Sequence, residues 1–387
     1  MTATSPVFAQ IVGHLNPTEF ARCSALYPSP RRPRGLSAYD HFLAMCFAQL
    51  THRESLRDLA ACLQSRRAYH AGFRSRVTRT NLAYANQHRD WRVFAAVAEV
   101  LMRRVRRVFD ESPSELELPE LAYALDTSII ELSLTLFPWA HWEPGAAAVK
   151  LHTLLSLRSN APEWIAVTEA TFPEQKSLSL LPVQPGAFYV MDRGYLDFTR
   201  LARVHATSAW FIVRSKCHVR FRVLASRPVD KSTGLRCDQL IRLKTRWSQR
   251  SYPHRLRRVR LWDAEHGCTL VLLTNHLELP ATTIGLLYRK RWQVELFFKW
   301  IKQHLRLRVF LGRSPNAVRA QVWAAVCAYL LVAIAKKKLG LSQTLHQVLQ
   351  IVSISAFDQV PLPELLAKFE QEAASDNDSS QLLLKDI

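Results

Sequence analysis

The sequence contains few acidic residues for its length. Its 387 residues include 32 Asp and Glu against 52 Lys and Arg, which gives a formal net charge of +20. This imbalance predicts a polyanionic partner, because cations that neutralise phosphates release counterions and gain affinity without reading sequence. A ribosomal or chromatin-type binder would share this charge, so the charge alone does not identify the function.

Paired cysteines are also absent. The seven cysteines show no CxxC pair and no regular spacing. An odd, scattered set is typical of free thiols in a reducing compartment. The first residues lack the basic-then-apolar order of a signal peptide, so we expect a cytoplasmic protein.

No apolar run reaches the length of a membrane span. The longest, Val322 to Ala335, is too short to cross a bilayer, so no membrane partner is expected. It predicts a buried core helix that ends in Lys336, Lys337 and Lys338, with Gly340 as a stop.

Lysine is missing from residues 1–110, which contain 17 Arg. Apolar residues at helical spacing predict an α-helical domain here, with Ser37 capping one helix and a Thr51–Glu54 capping box starting the next. A basic stretch interleaved with aromatic residues follows, and it contains Arg66, Arg67, Arg74, Arg76 and Arg79. It is compatible with a DNA-end reader and equally with an ordinary helical domain that has a solvated basic face.

After a polar linker near residues 111–119, the pattern changes to short apolar runs of strand length. Their order, three consecutive strands and then helix-separated ones, predicts a mixed α/β sheet. Residues 214–275 predict a β-rich insertion with a basic face. One long helix is expected over residues 283–306, and a disordered tail beyond Ala373. The expected strands are 121–130, 151–157, 164–168, 188–192 and 210–213, then 219–223, 259–262 and 269–273 within the insertion.

Two acids occupy unusual positions in these strands. Asp126 lies inside an apolar strand, where a lone carboxylate is costly to desolvate, and Asp192 ends another strand. Strand ends are common sites in α/β proteins. A strand-end cap or a salt bridge would explain either Asp taken singly.

A third acid, Glu295, lies in the expected helix. On a continuous helix, Tyr288, Arg291, Glu295 and Lys302 fall within one stripe of about 60°, with Lys299 at its edge. A solvated face with i,i+4 ion pairs would give a similar pattern, although a surface Tyr would be unusual in it.

The pattern Tyr-x2-Arg-x3-Glu-x6-Lys formed by Tyr288, Arg291, Glu295 and Lys302 resembles the motif of one branch of insertion-sequence transposases, the insertion-sequence-four type of the DDE superfamily. "LDTS" at 125–128 and "DRGY" at 192–195 strengthen the resemblance. It implies an RNase H-like catalytic domain over residues 115–340 with the 214–275 insertion, a helical DNA-binding domain over 1–110, and a C-terminal helical segment and tail over 341–387.

The resemblance also implies a mechanism. Asp126, Asp192 and Glu295 are expected to be catalytic and to hold two Mg²⁺ ions, with Mn²⁺ as a possible substitute. Tyr288, Arg291 and Lys302 are expected to bind DNA phosphates, with Lys299 a further candidate. The expected partners are double-stranded DNA, at the element ends and the target, and a second copy of the chain. The expected location is the nucleoid. The alternatives are an RNase H-like nuclease without strand transfer, and a domesticated, inactive DNA-binding protein.

Overall fold

The protein is described from a computed structural model that covers residues 5–29, 35–110, 121–264, 267–304, 307 and 309–369. The expected linker and tail, and the side chains of Arg66 and Arg67, lie outside this description. The chain divides into two compact units, residues 1–111 with 299–387, and residues 112–298. The functional domains predicted from the sequence, with their boundaries, stay a prediction.

The first unit is helical, as the sequence predicts. Its helices, with residues 362–369 also helical, are α1 Val7–Val12, α2 Pro17–Ala25, α3 Ala38–Leu50, α4 Leu56–Leu63, α5 Arg66–His70, α6 Arg79–His88, α7 Arg92–Asp110, α12 Pro315–Lys338 and α13 Leu345–Ser355. Helix α12 is long and apolar enough to cross a membrane, but 94% of its apolar window is buried inside the protein. Its apolar side chains therefore form the core of this unit, which confirms the predicted core helix.

One predicted cap in this unit is correct and one is wrong. The Ser37 side chain accepts the backbone N–H of Asp40 at 2.9 Å and caps α3. Thr51 instead ends α3, where its hydroxyl donates to the carbonyl of Phe47. Helix α4 is capped by Ser55, which accepts the N–H of Asp58 three residues later, so the cap lies four residues after the predicted one.

The second unit is built on a ten-stranded mixed sheet in the described residues. Its strands are β1 Ala122–Leu132, β2 His141–Glu143, β3 Ala146–Ser156, β4 Pro162–Glu169, β5 Phe188–Met191, β6 Trp210–Arg214, β7 Phe221–Arg227, β8 Leu235–Leu243, β9 Leu256–Asp263 and β10 Cys268–Thr274. Its helices are α8 Phe198–Ala206, α9 Arg246–Ser251 and α10 Ala281–Lys290, and α11 Trp292–His304 begins in it.

The topology confirms the predicted mixed α/β class. Strands β1, β3 and β4 pair antiparallel in sequence order, while β1, β5 and β6 are parallel neighbours. The β-rich insertion is also present, and its strand β10 pairs with β6, so it extends the same sheet. Strand β8 was not expected from the sequence, because its apolar and charged residues do not form a clear apolar run.

Candidate active site

Asp126 and Asp192 lie at corresponding positions on neighbouring parallel strands. The last paired residues of β1 and β5 are Leu125 and Met191, and each aspartate is the next residue along its chain. Because β1 and β5 run in the same direction, both aspartates lie side by side where the pairing of these two strands ends. The strand pairing therefore makes neighbours of two acids that the sequence could assign only to separate strands.

The carboxylate of Asp126 is largely buried and is held at both oxygens. Oδ1 accepts the backbone N–H of Thr127 at 2.8 Å, and Oδ2 accepts from Nη1 of Arg291 at 2.6 Å. The pKa of Asp126 is raised to about 6. Burial is the main cause, and the charges of Asp192 and Glu295 act in the same direction, while Arg291 opposes them. These effects indicate that the three carboxylates share one electrostatic environment.

Arg291 also binds Glu295. Its Nη2 donates to Oε1 of Glu295 at 2.8 Å, so one guanidinium joins Glu295 to Asp126. Burial alone would lower the pKa of Arg291, but Asp126, Tyr288 and Glu295 reverse this and keep the guanidinium charged. The i,i+4 ion pair considered for this helix is therefore present, and it is part of a wider network.

The single long helix predicted over residues 283–306 is wrong. Helix α10 ends at Lys290 and α11 begins at Trp292, with the N–H of Arg291 donating to the carbonyl of Tyr288 in a tighter turn. The break involves only Arg291, whose backbone angles stay right-handed helical, so its side chain still contacts both Tyr288 and Glu295. Arg291 lies at the junction of the two helices, where it still reaches both carboxylates.

The remaining residues of the motif occupy different places. Tyr288 is 7% exposed, and the guanidinium carbon of Arg291 lies 5.8 Å from the centroid of its ring. Burial raises the pKa of Tyr288, so its hydroxyl stays protonated. Lys299 and Lys302 lie in the later turns of α11, which belong to the first unit. Their contact with DNA stays a prediction.

A fourth carboxylate, Glu174, lies beside Asp192, and no sequence pattern pointed to it. A Cβ at Gly194 would lie 2.6 Å from Oε2 of Glu174 and 3.0 Å from Oδ1 of Asp192. Burial raises the pKa of Glu174, and the charge of Asp192 raises it further. A larger residue in place of the Gly of the "DRGY" sequence would therefore push these two carboxylates aside.

Four polar side chains next to the aspartates, two of them fully buried, form a hydrogen-bond chain that sequence reasoning also missed. The hydroxyl of Thr127 lies 2.7 Å from Nδ1 of His152 and 2.7 Å from the hydroxyl of Tyr195. Nε2 of His152 lies 2.9 Å from Oγ1 of Thr168. Burial lowers the pKa of His152 to about 4, with Lys150 contributing, so the imidazole is neutral at pH 7. Only the tertiary structure brings these four residues together.

A basic cleft of about 600 Å³ opens next to the "DRGY" turn. Its cationic lining residues are Arg193, Arg214, Lys216 and Arg258. Arg258 lies over the ring of Phe221 and donates to Gln239. Among the described residues, no carboxylate lies within salt-bridge distance of these four cations. Unpaired cations of this kind attract a polyanion.

Carboxylate oxygens are the ligands that Mg²⁺ prefers, so the donor set of Asp126, Asp192 and Glu295 fits a divalent cation. In the part of the chain that the structure describes, no group of three or more His, Cys, Asp or Glu side chains is gathered closely enough to hold one. The guanidinium of Arg291 occupies one oxygen of Asp126 and one of Glu295. The positive charge of Arg291 therefore offsets the negative charges of Asp126 and Glu295.

Comparison with known proteins identifies the family. Residues 119–331 match the family described as "Transposase DDE domain", and residues 3–74 match a domain of unknown function. A protein of Sinorhizobium fredii named as a transposase is 33% identical, over 66% of this chain and 71% of that protein. A Synechocystis protein, named as the transposase of insertion sequence element IS4SA, is 24% identical over 64% of this chain and 69% of its own.

Among solved structures, the piggyBac transposase synaptic complex with hairpin DNA aligns over 96% of this chain and 82% of that chain, with a TM-score of 0.41 and 10% identity. The family match covers more than half of the chain and includes the resembling motifs at Asp126, Asp192 and Glu295. Members of this family use divalent metal ions. The chain therefore belongs to the DDE transposases of insertion sequences, as its Tyr-x2-Arg-x3-Glu-x6-Lys pattern implied.

Proposed function

We propose that Asp126, Asp192 and Glu295 are the catalytic carboxylates of this DNA transposase. The observation that carries the proposal is the pairing of Leu125 with Met191, which puts the two aspartates side by side where the β1–β5 pairing ends. The link from Asp126 through Arg291 to Glu295 supports the assignment of the third acid. The three residues come from elements far apart in sequence, as expected for a site assembled by folding.

These carboxylates would hold two Mg²⁺ ions, with Mn²⁺ as a substitute, once Arg291 releases the oxygens it occupies. The bound ions would activate an attacking water or 3′-hydroxyl and stabilise the leaving oxygen. Freed from the acids, Arg291 would turn its two-pronged donor set towards a phosphate, a geometry that guanidinium groups favour. The hydroxyl of Tyr288 would donate a hydrogen bond to the DNA backbone, and Lys299 and Lys302 would supply further cations.

The substrate would be double-stranded DNA, first at the ends of the mobile element and then at the target. The net charge of +20 and the basic cleft support this assignment. Synapsis of two ends requires at least two copies of the chain, so we propose a dimer in the DNA complex. The proposed location is the cytoplasm, at the nucleoid.

The experiment compares Asp192→Asn and Glu295→Gln with the wild type on a plasmid that carries the element ends. Glu131→Gln is the matched control, because Glu131 is an exposed acid on the same strand as Asp126. The two site variants are expected to lose Mg²⁺-dependent nicking and to keep end binding, while the control keeps both.

The two alternatives give different results in the same assay. A nuclease without strand transfer would nick the plasmid and leave no joined product. An inactive DNA-binding protein would bind the ends and show no Mg²⁺-dependent nicking in the wild type. Nicking that survives Asp192→Asn would refute the proposed site.

A further inference from the structure

The hydrogen-bond chain beside the aspartates has a defined direction. Oγ1 of Thr168 donates to the backbone carbonyl of Glu169 at 3.1 Å. A carbonyl oxygen can only accept, and a hydroxyl has one proton to give. A Thr168 hydroxyl that donates to this carbonyl accepts from Nε2 of His152, which lies 2.9 Å away. The proton of the neutral imidazole is thus on Nε2.

This assignment fixes the rest of the chain. With its proton on Nε2, His152 can only accept at Nδ1, so the hydroxyl of Thr127 donates to it at 2.7 Å. The hydroxyl of Thr127 has then used its proton, and it accepts from the hydroxyl of Tyr195, also at 2.7 Å. The order of donation runs from Tyr195 through Thr127 and His152 to Thr168. Tyr195 and His152 are fully buried, while Thr127 and Thr168 are half-buried.

Both residues at the start of the chain belong to segments that orient an aspartate. The backbone N–H of Thr127 donates to Oδ1 of Asp126 at 2.8 Å. The N–H of Gly194, immediately before Tyr195, donates to Oδ1 of Asp192 at 2.7 Å. The hydrogen bond between Thr127 and Tyr195 therefore connects the residue whose amide orients Asp126 to the turn whose amide orients Asp192.

We propose that Thr127, His152 and Tyr195 are positioning residues, whose directed hydrogen-bond chain sets the relative placement of Asp126 and Asp192. The proposal rests on the proposed function, in which these two carboxylates share the metal site. Partners that orient metal ligands contribute about 10- to 100-fold to metal affinity or activity.

The first test measures the proton position on His152 and needs no activity. The full-length protein is labelled with ¹⁵N-histidine and its imidazole nitrogens are observed by NMR at neutral pH. The His152 signals are assigned by their loss in His152→Gln. We expect a proton on Nε2 and a bare, accepting Nδ1. A proton on Nδ1 would reverse the chain at Thr127 and overturn the proposal.

The second test measures Mn²⁺ affinity by electron paramagnetic resonance, and the metal dependence of plasmid nicking. Thr127→Val and Tyr195→Phe are each expected to weaken Mn²⁺ binding about 10- to 100-fold. Thr127→Ser keeps the hydroxyl and should bind within about threefold of the wild type, given the same donor and acceptor atoms. Tyr189→Phe is the matched control, because Tyr189 is an equally buried tyrosine whose hydroxyl only accepts the N–H of Gln184.

The outcomes separate the two proposals. Equal Mn²⁺ affinity in Tyr195→Phe and Tyr189→Phe would overturn the positioning role, and so would a Thr127→Ser variant as weak as Thr127→Val. If Thr127→Val does not fold, as judged by its melting transition, Tyr195→Phe and the NMR result still decide. A wild type that neither binds Mn²⁺ nor nicks DNA would instead refute the proposed function.

Discussion

Nη1 of Arg291 lies 2.6 Å from Oδ2 of Asp126, so a cation of the protein itself is bound to a carboxylate of the proposed metal site. The same side chain binds Glu295 at 2.8 Å and is 14% exposed. A metal ion that uses these two oxygens must displace the guanidinium. Arg291 therefore occupies the place of a cation between these two acids, and its proposed second role, once released, is to bind a phosphate.

We predict that Arg291→Ala tightens Mn²⁺ binding while it lowers nicking. A charge-assisted hydrogen bond contributes about 1.5 to 3 kcal/mol, so removing the competing guanidinium should tighten binding about tenfold or more. Nicking falls because a phosphate contact is lost. Electron paramagnetic resonance measures the first effect and plasmid nicking the second. Weaker Mn²⁺ binding in Arg291→Ala would show that Arg291 supports the metal site and does not compete with it.

A methyl group at Gly194 is predicted to impair activity more than stability. It would contact Oε2 of Glu174 and Oδ1 of Asp192, and both atoms are ends of side chains that can move. We therefore expect Gly194→Ala to change the free energy of unfolding by less than about 1.5 kcal/mol, and to lower nicking more than tenfold as Asp192 is turned away. Urea unfolding and plasmid nicking are compared. A large loss of stability with normal specific activity would contradict the prediction.

The basic cleft is predicted to bind DNA phosphates. Arg214→Ala combined with Lys216→Ala removes two cations that have no carboxylate partner among the described residues. The slope of log affinity against log salt should fall in magnitude by about 2, because each neutralised phosphate contributes about 0.9. Arg246→Ala with Arg250→Ala removes the same charge from the exposed face of α9 and is the control. Equal changes in slope would mean that net charge, rather than the cleft, determines binding.

Acid is predicted to destabilise the helical unit through His41. This residue is 2% exposed, Nε2 lies 2.7 Å from Oδ1 of Asn86, and burial lowers its pKa to about 3. The unfolded chain takes up a proton near pH 6.5 and the folded chain does not, so stability is full above pH 6.5. It is lost as the pH falls towards 3, by about 2 to 3 kcal/mol at pH 4.5.

Denaturant unfolding from pH 7 to pH 4.5 measures this loss in the wild type and in His41→Gln, which cannot titrate. The difference between the two proteins should shrink as the pH falls. His88→Gln, at an exposed histidine of α6, provides the control and should follow the wild type. A constant difference across this range would show that His41 does not cause the acid sensitivity.

Lys302→Ala is predicted to weaken cleavage more than DNA binding. The motif resemblance places this side chain near the scissile phosphate, where a cation stabilises charge in the transition state more than in the bound substrate. End binding by gel shift and single-turnover nicking are compared with the wild type. Losses of equal size in both assays would place Lys302 at a general backbone contact.

Much of the site could be predicted from the sequence because its signals are local. These signals are an acid inside an apolar run, an acid before Arg-Gly, and four residue types at fixed spacing. Each can be recognised without knowledge of the rest of the fold. The helical first unit and the mixed sheet were likewise evident from apolar periodicity. Periodicity did not reveal the turn at Arg291, because the residues on both sides favour helix.

Only the tertiary structure decided how the acids are related. The register of Leu125 against Met191 makes Asp126 and Asp192 neighbours, and no local pattern encodes that register. The same folding brings Glu174 to Asp192 across 18 residues and His152 to Thr127 across 25. The sequence by itself determined which side chains can carry the chemistry, because residue type and local spacing are properties of the chain. Their distances, partners and protonation were decided by strand pairing and burial, which exist only in the folded protein.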